Sequence, residues 1–256
     1  MIYLENQPVD VTIFPDKTSQ VWNVNEQCLA SIKNFTNGAQ CTVTWSFESE
    51  GEFLHLAQLK DLLDSEGISS ILNIPTLPYA RQDKEINNKE TFALRTFAKL
   101  LNTLKFKRVY SKDVHNIKLT ESLIDNFANI AADPSINMVF DRVKADMICF
   151  PDEGAKLRYN LKKESCYGIK KRCPETGYIE GYNFVGEVRG KIILICDDLV
   201  DGGMTFIKCT EKLLQGGAKE VYLYASHGIF SKGTNVLFDA GISRIFTKEG
   251  EINERS

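Results

Sequence analysis

The chain has 256 residues, 43% of them hydrophobic and 25% charged, with a formal net charge of −3. That size and mix allow a buried core, and the slight negative charge excludes a global basic surface made for nucleic acid or an anionic membrane. No uninterrupted apolar run nears the roughly 18 residues of a membrane span, and MIYLENQPVD lacks a basic start followed by an apolar stretch, so a cytoplasmic protein is expected.

In chain order, short apolar and β-branched runs read as strands at Val43–Phe47, Ile68–Ile74, Arg108–Tyr110, Met147–Phe150, Ile192–Cys196, Val221–Ala225 and Ile242–Phe246. Between them Leu94, Phe97, Ala98, Leu101 and Leu104 repeat at helical spacing, as do Phe206, Cys209, Thr210 and Leu213 before the stop at Gly216-Gly217. Strand and helix in alternation predict an α/β fold with largely parallel sheets. A boundary is expected near Ala131-Ala-Asp-Pro134, giving halves 1–131 and 132–256. The cysteines at 28, 41, 149, 166, 173, 196 and 209 lack CxxC or ligand-like spacing and are expected as reduced, mostly buried thiols.

The run Ile192–Cys196 is apolar without alternation, which predicts a central strand covered on both faces, with a ligand at its C-terminal end. It runs into Asp197 and Asp198, then Asp201, Gly202, Gly203, Met204 and Thr205. Carboxylates at the end of a buried strand are costly unless paired. Two adjacent ones can accept hydrogen bonds from vicinal hydroxyls or neutralise a hydrated divalent cation, and the glycines and threonine can form an anion-holding turn at a helix N-terminus. An acidic turn that merely caps a helix is the plainer alternative.

Strand, Asp-Asp-x-x-Asp, Gly-Gly-x-Thr and amphipathic helix, in that order, resemble the ribose-phosphate-binding motif shared by type I phosphoribosyltransferases and phosphoribosyl pyrophosphate (PRPP) synthetases. Upstream, Pro78-Tyr-Ala-Arg-Gln-Asp-Lys84 and Ser111-Lys-Asp-Val-His-Asn116 resemble the PYARQD and D-L-H segments of PRPP synthetases, which ordinary phosphoribosyltransferases lack. The resemblance implies that Arg81 and Gln82, with Asp83 holding their loop, bind ATP, and that His115 lies at the triphosphate and its metal. Phe14-Pro-Asp16 stands where the family has an F-x-D-G-E segment that reaches ATP across a subunit interface, with Lys17-Thr18 in place of Gly-Glu. Phe150-Pro-Asp-Glu-Gly-Ala155 is similar to the S-P-D-x-G segment, which places Asp152 near ribose or metal. Tyr167–Cys173 resembles the flexible catalytic loop. Lys171 falls on the family lysine, Arg172 on the first arginine and Cys173 on the second, unless a one-residue shift makes Lys170-Lys171-Arg172 the basic triplet. Ser226-His-Gly-Ile-Phe-Ser231 resembles the T-H-P-x-x-S segment near the ribose. Both His227 and His55 also read as structural histidines.

This resemblance implies two phosphoribosyltransferase-like domains, each a largely parallel sheet flanked by helices, with the family's last helix and strand shortened. It implies Mg²⁺-dependent transfer of pyrophosphate from ATP to the anomeric hydroxyl of ribose 5-phosphate, giving PRPP and AMP, in a homo-oligomer. Lys171, Arg172 and His115 would be catalytic, Asp197 to Thr205 would hold the sugar phosphate, and His115 and Asp152 would meet the metal. The family turn reads D-T-A-G-T, whereas Asp201–Thr205 keeps one threonine, which also suits an acceptor substituted at its 5-phosphate, such as ADP-ribose. A phosphoribosyltransferase and a non-catalytic PRPP-synthetase-like regulator complete the alternatives.

Overall fold

The computed structural model describes residues 1–22, 24, 26–35, 40–85, 90–172 and 179–252. They form two compact units, Met1–Ile130 and Ala131–Ser256. Among the described residues no helix is long and apolar enough to cross a membrane.

Unit 1 contains β1 (Ile2–Leu4), β2 (Gln7–Pro8), β3 (Asp10–Ile13), β4 (Ser19–Trp22), α1 (Glu26–Phe35), β5 (Gln40–Trp45), α2 (Glu52–Ser65), β6 (Ser69–Ile74), α3 (Ala93–Thr103), β7 (Val109–Lys112), α4 (Ile117–Leu123) and β8 (Phe127–Ile130). Its main sheet has the order β2-β1-β5-β6-β7-β8, and β3 and β4 form a separate hairpin. The pairs from β5 to β8 are parallel, so their connecting loops emerge at one edge of the sheet. Helix α3 forms because Leu94, Phe97, Ala98 and Leu101 make one buried stripe. The stripe packs into a core with Val43, Leu72, Leu56 and Leu59.

Unit 2 contains α5 (Asp133–Val143), β9 (Met147–Phe150), α6 (Glu153–Arg158), β10 (Ser165–Arg172), β11 (Ile179–Val185), β12 (Ile192–Val200), α7 (Met204–Gln215), β13 (Glu220–Gly228), α8 (Asn235–Asp239), β14 (Ile242–Thr247) and β15 (Gly250–Ile252). The sheet order is β11-β10-β9-β12-β13-β14-β15, parallel except at its two outer pairs. Its centre is covered on both faces, as the unbroken apolar runs require. Cys149, Ile193, Ile195 and Leu223 pack with Phe206, Cys209 and Leu213 of α7. Ile148, Leu194, Cys196 and Tyr224 face the other way, onto Ile136, Val139 and Phe140 of α5. Cys41, Cys149, Cys166, Cys196 and Cys209 are buried thiols outside any disulfide.

Candidate functional site

Strand β12 does not stop at the aspartates. It continues through Asp197 and Asp198 to Val200, because β13 is equally long and supplies partners up to Gly228. Both carboxylates are thereby drawn into the sheet, with residue exposures of 8% and 3%. Two buried negative charges side by side need a cation. Arg158, the last residue of α6, provides it: its Nη1 lies 2.9 Å from Asp197 Oδ1 and 2.8 Å from Asp198 Oδ1. The Asp198 backbone N–H also donates to Asp197 Oδ1, at 2.9 Å.

Burial, then the charge of Asp198, pushes the Asp197 carboxyl up to about 7, with Arg158 opposing. Burial alone would lower the Arg158 guanidinium, yet Asp198, Tyr159 and Asp197 hold it above its ordinary value. Two carboxylates gathered on a guanidinium make a site chemically suited to a proton, a cation or hydroxyl donors.

Beyond β12 the chain turns at Asp201 and Gly202 into α7. Gly203 is the N-cap at φ 76°, and no side chain caps the helix. The first-turn N–H groups of α7 are thus free of any capping side chain, the arrangement that receives an anion. A side chain at Gly203 would be strained by that φ and would meet Leu237 Cδ2 at 2.9 Å. Met204 is exposed and Thr205 is half-buried in the first turn. Lys232, from the loop after β13, lays its Cδ and Cε 3.7 Å from where a Gly202 Cβ would stand. His227 is buried in β13, with Nδ1 3.2 Å from Lys248 Nζ.

Asp152 follows β9, the neighbour of β12, and caps α6: its Oδ1 accepts from the Ala155 N–H at 2.8 Å. The basic run lies in a strand, not in a loop: Lys170, Lys171 and Arg172 pair with Tyr182, Gly181 and Ile179 of β11. Of Lys170, Lys171 and Arg172 the backbone alone is described, and Cys173 lies outside the described residues.

In unit 1 the two upstream segments leave adjacent parallel strands, β6 and β7. Tyr79 turns the chain at φ 60°, and the Gln82 N–H donates to its carbonyl at 2.9 Å. Arg81 and Gln82 are exposed. Asn116 Nδ2 donates to Asp83 Oδ2 at 3.1 Å, while Asn116 Oδ1 caps α4 by accepting from the Leu119 N–H. That bond joins segments 33 residues apart and ties Asp83 to the residue that follows the half-buried His115.

The β3–β4 hairpin carries Phe14 and Asp16 in its turn. Asp16 Oδ1 accepts from the Thr18 hydroxyl at 2.7 Å and from its N–H at 3.0 Å, bonds that hold the exposed carboxylate below its usual range. Lys17 sits at φ 72°, a left-handed position that favours glycine. His55 Nε2 lies 2.6 Å from Ser19 Oγ, next to the turn of the same hairpin.

Among the described residues no three His, Cys, Asp or Glu side chains converge on a metal position. Such a donor set still suits Mg²⁺ held mainly by substrate oxygens and water, with one or two protein groups. Sequence reasoning missed Arg158 and Lys232. For Arg158 a signal existed, since two adjacent carboxylates on a buried strand demand a cation from a neighbouring element. For Lys232 there was none.

Comparison with known proteins adds an independent line. Residues 170–248 match a family model described as a phosphoribosyl synthetase-associated domain. The ribose-phosphate pyrophosphokinase of Pyrococcus furiosus is 32% identical over 197 residues, 73% of this chain and 70% of that protein. The Bacillus subtilis enzyme of the same name is 28% identical over 78% of this chain and 66% of its own length. The crystal structure of a phosphoribosylpyrophosphate synthetase from Mycobacterium smegmatis superposes with a TM-score of 0.76 at 21% identity, covering 94% of this chain and 79% of the other. That likeness establishes the fold.

Proposed function

Since the chain belongs to the ribose-phosphate pyrophosphokinase family, we propose that it transfers the β,γ-pyrophosphoryl group of ATP to the anomeric oxygen of ribose 5-phosphate. The sugar oxygen forms a bond to the β-phosphorus, the bond from that phosphorus to the AMP oxygen breaks, and PRPP and AMP result. Little covalent chemistry is asked of the protein in such a transfer, so alignment and charge neutralisation dominate.

The observation that carries the reading is the buried Asp197–Asp198 pair next to a helix start without a capping side chain. In the proposal Asp197 and Asp198 accept hydrogen bonds from the ribose 2- and 3-hydroxyls, with Arg158 fixing the carboxylates. The N–H groups at Gly203–Thr205 and the Lys232 ammonium receive the 5-phosphate, Lys232 making up for the missing threonine hydroxyl. Unit 1 is assigned ATP, through Arg81 and Gln82 in the loop held by Asp83, and through Phe14 and Asp16 of the hairpin. Lys171 and Arg172 neutralise charge that develops on the migrating group and on AMP. His115 in unit 1 and Asp152 in unit 2 are each candidates to hold Mg²⁺ along with phosphate oxygens and water, and the ion would supply electrostatic activation of the triphosphate. A homo-oligomer is part of the proposal, checked by sedimentation.

A second reading concerns the acceptor alone. The Gly202-Gly203 turn and the exposed Met204 beside it favour a 5-phosphate that carries a further group, as in ADP-ribose. The experiment is AMP release and phosphorus NMR of the product from Mg-ATP offered ribose 5-phosphate, ADP-ribose or no acceptor. A new pyrophosphate ester on the first acceptor upholds the leading reading, and one on ADP-ribose alone replaces it. A protein that binds Mg-ATP but forms no AMP with either acceptor overturns both.

A further inference from the structure

We propose that unit 1 holds a second small-molecule site, an aromatic cage for a planar organic cation, built from side chains to which the pyrophosphokinase reading gives no role. A cavity of about 420 Å³ lies between the end of β5, the start of α2 and one side of α3, a volume within the usual range for ligand pockets. Its wall is a closed circuit of rings. Trp45 meets Phe47 at 5.6 Å between centroids, Phe47 meets Tyr79 at 6.2 Å, Tyr79 meets Phe97 at 5.4 Å, and Phe97 returns to Trp45 at 6.1 Å. Phe53 braces the circuit against Trp45 and Phe97.

The charge of the lining selects the occupant. Among the described residues it contains one carboxylate, Glu50, and no lysine, arginine or histidine, so a phosphate or carboxylate ligand would meet repulsion there. Glu50 Oε1 accepts from the Tyr79 hydroxyl at 2.7 Å, which pins the carboxylate at the cavity. Burial and then that bond push the Tyr79 phenol up to about 12, so it stays a neutral donor. Among the described residues no cation pairs with Glu50. Aromatic rings with a carboxylate held beside them favour a flat cation over a neutral or anionic ring of equal size. The Tyr79 carbonyl also receives the Gln82 N–H, so an occupant of the cage touches a residue that shapes the Arg81–Gln82 turn.

The chain has two tryptophans, Trp22 and Trp45, and Trp22→Phe in the β4 strand leaves Trp45 as the sole reporter. The full chain in that background is titrated with 1-methylnicotinamide, nicotinamide and nicotinate, one ring in three charge states, in the absence of ATP and acceptor. Saturable quenching at least tenfold tighter for the cation than for nicotinate, with nicotinamide between, is expected. Glu50→Gln should erase the advantage of the cation over nicotinamide and leave nicotinamide within twofold. Absence of saturation with all three probes, or nicotinate binding as well as the cation, overturns the proposal. So does a Trp45 signal that follows protein concentration instead of probe, which would mean that a second copy covers the cavity. The charge series needs no variant at Glu50, and neither ATP nor acceptor takes part, so failure here leaves the pyrophosphokinase reading standing.

Discussion

The acidic end of β12 and the Arg81–Gln82 loop of unit 1 place charged side chains in opposite ways. Asp197 and Asp198 are buried, share one guanidinium and are fixed before any ligand arrives. Arg81 and Gln82 are exposed and are placed by backbone bonds and by the side-chain bond from Asn116 to Asp83. The first region meets its electrostatic cost inside the fold, so its geometry is preorganised for weak donors such as hydroxyls. The second leaves its guanidinium in water, where a polyanion can still find it, and a planar donor fork suits phosphate oxygens.

The comparison breaks first at Arg158. Arg158→Met keeps bulk but leaves two carboxylates without their buried partner, and removing one member of a buried ion pair costs about 3–5 kcal/mol. Urea unfolding should show that loss at pH 8 and a smaller one at pH 5, where the pair can take up a proton. An equal loss at both values would mean that Arg158 acts through packing and not charge. Wild type carries the same signature in weaker form. The Asp197 pKa is raised from 3.8 to about 7, so its contribution to stability is full below pH 3.8 and is lost as pH rises through about 7. Next comes Lys171 in unit 2, to which the proposed function gives the phosphate chemistry. Lys171→Ala removes a transition-state donor worth about 2.7–4 kcal/mol, so turnover should fall at least about a hundredfold while ribose-phosphate binding stays near normal. Turnover within threefold of wild type would take the residue out of the mechanism.

The same contrast explains what could be read from the sequence. Met147–Phe150 forms a strand with the bounds its apolar run predicts, and Ile68–Ile74 differs by one residue, because buried runs bounded by turn residues carry their own signal. The hairpin of β3 and β4 was not legible: Asp10–Ile13 is exposed at every position, so no burial pattern marks it. The aspartate pair stood out because charge at the end of an apolar run is costly wherever it occurs. Its length of strand did not, since β12 extends only as far as β13 offers partners. Arg158 meets Asp197 across 39 residues and the cage joins rings from several segments, and contacts of that range leave no mark on local periodicity.

Acceptor affinity sharpens the comparison by its pH dependence. If ribose hydroxyls donate to Asp197, the ligand needs the ionised carboxylate, and binding should weaken by roughly tenfold per pH unit below about 7 and level off above it. Calorimetric titration of the acceptor measures the slope, and Asp197→Asn should remove the part that does not come from the sugar phosphate itself. A wild-type slope that survives in Asp197→Asn would place the titration elsewhere.

The smallest effect tests the weaker-held region. Asp83 accepts one bond from Asn116, and a bond of that kind contributes on the order of 1 kcal/mol. Asp83→Ala should therefore raise the ATP KM by roughly fivefold and leave acceptor affinity unchanged, because the loop that carries Arg81 and Gln82 loses its tie to the turn at His115. Asn116→Ala should cost more, since it also uncaps α4. The double variant separates the two roles: a coupling energy of about 1 kcal/mol between the positions isolates the bond itself. Additivity within a few tenths would mean that the loop is held by its backbone alone, and the exposed half of the comparison would then owe its geometry to the turn at Tyr79 and to the bond from the Leu94 N–H to the Gln82 carbonyl.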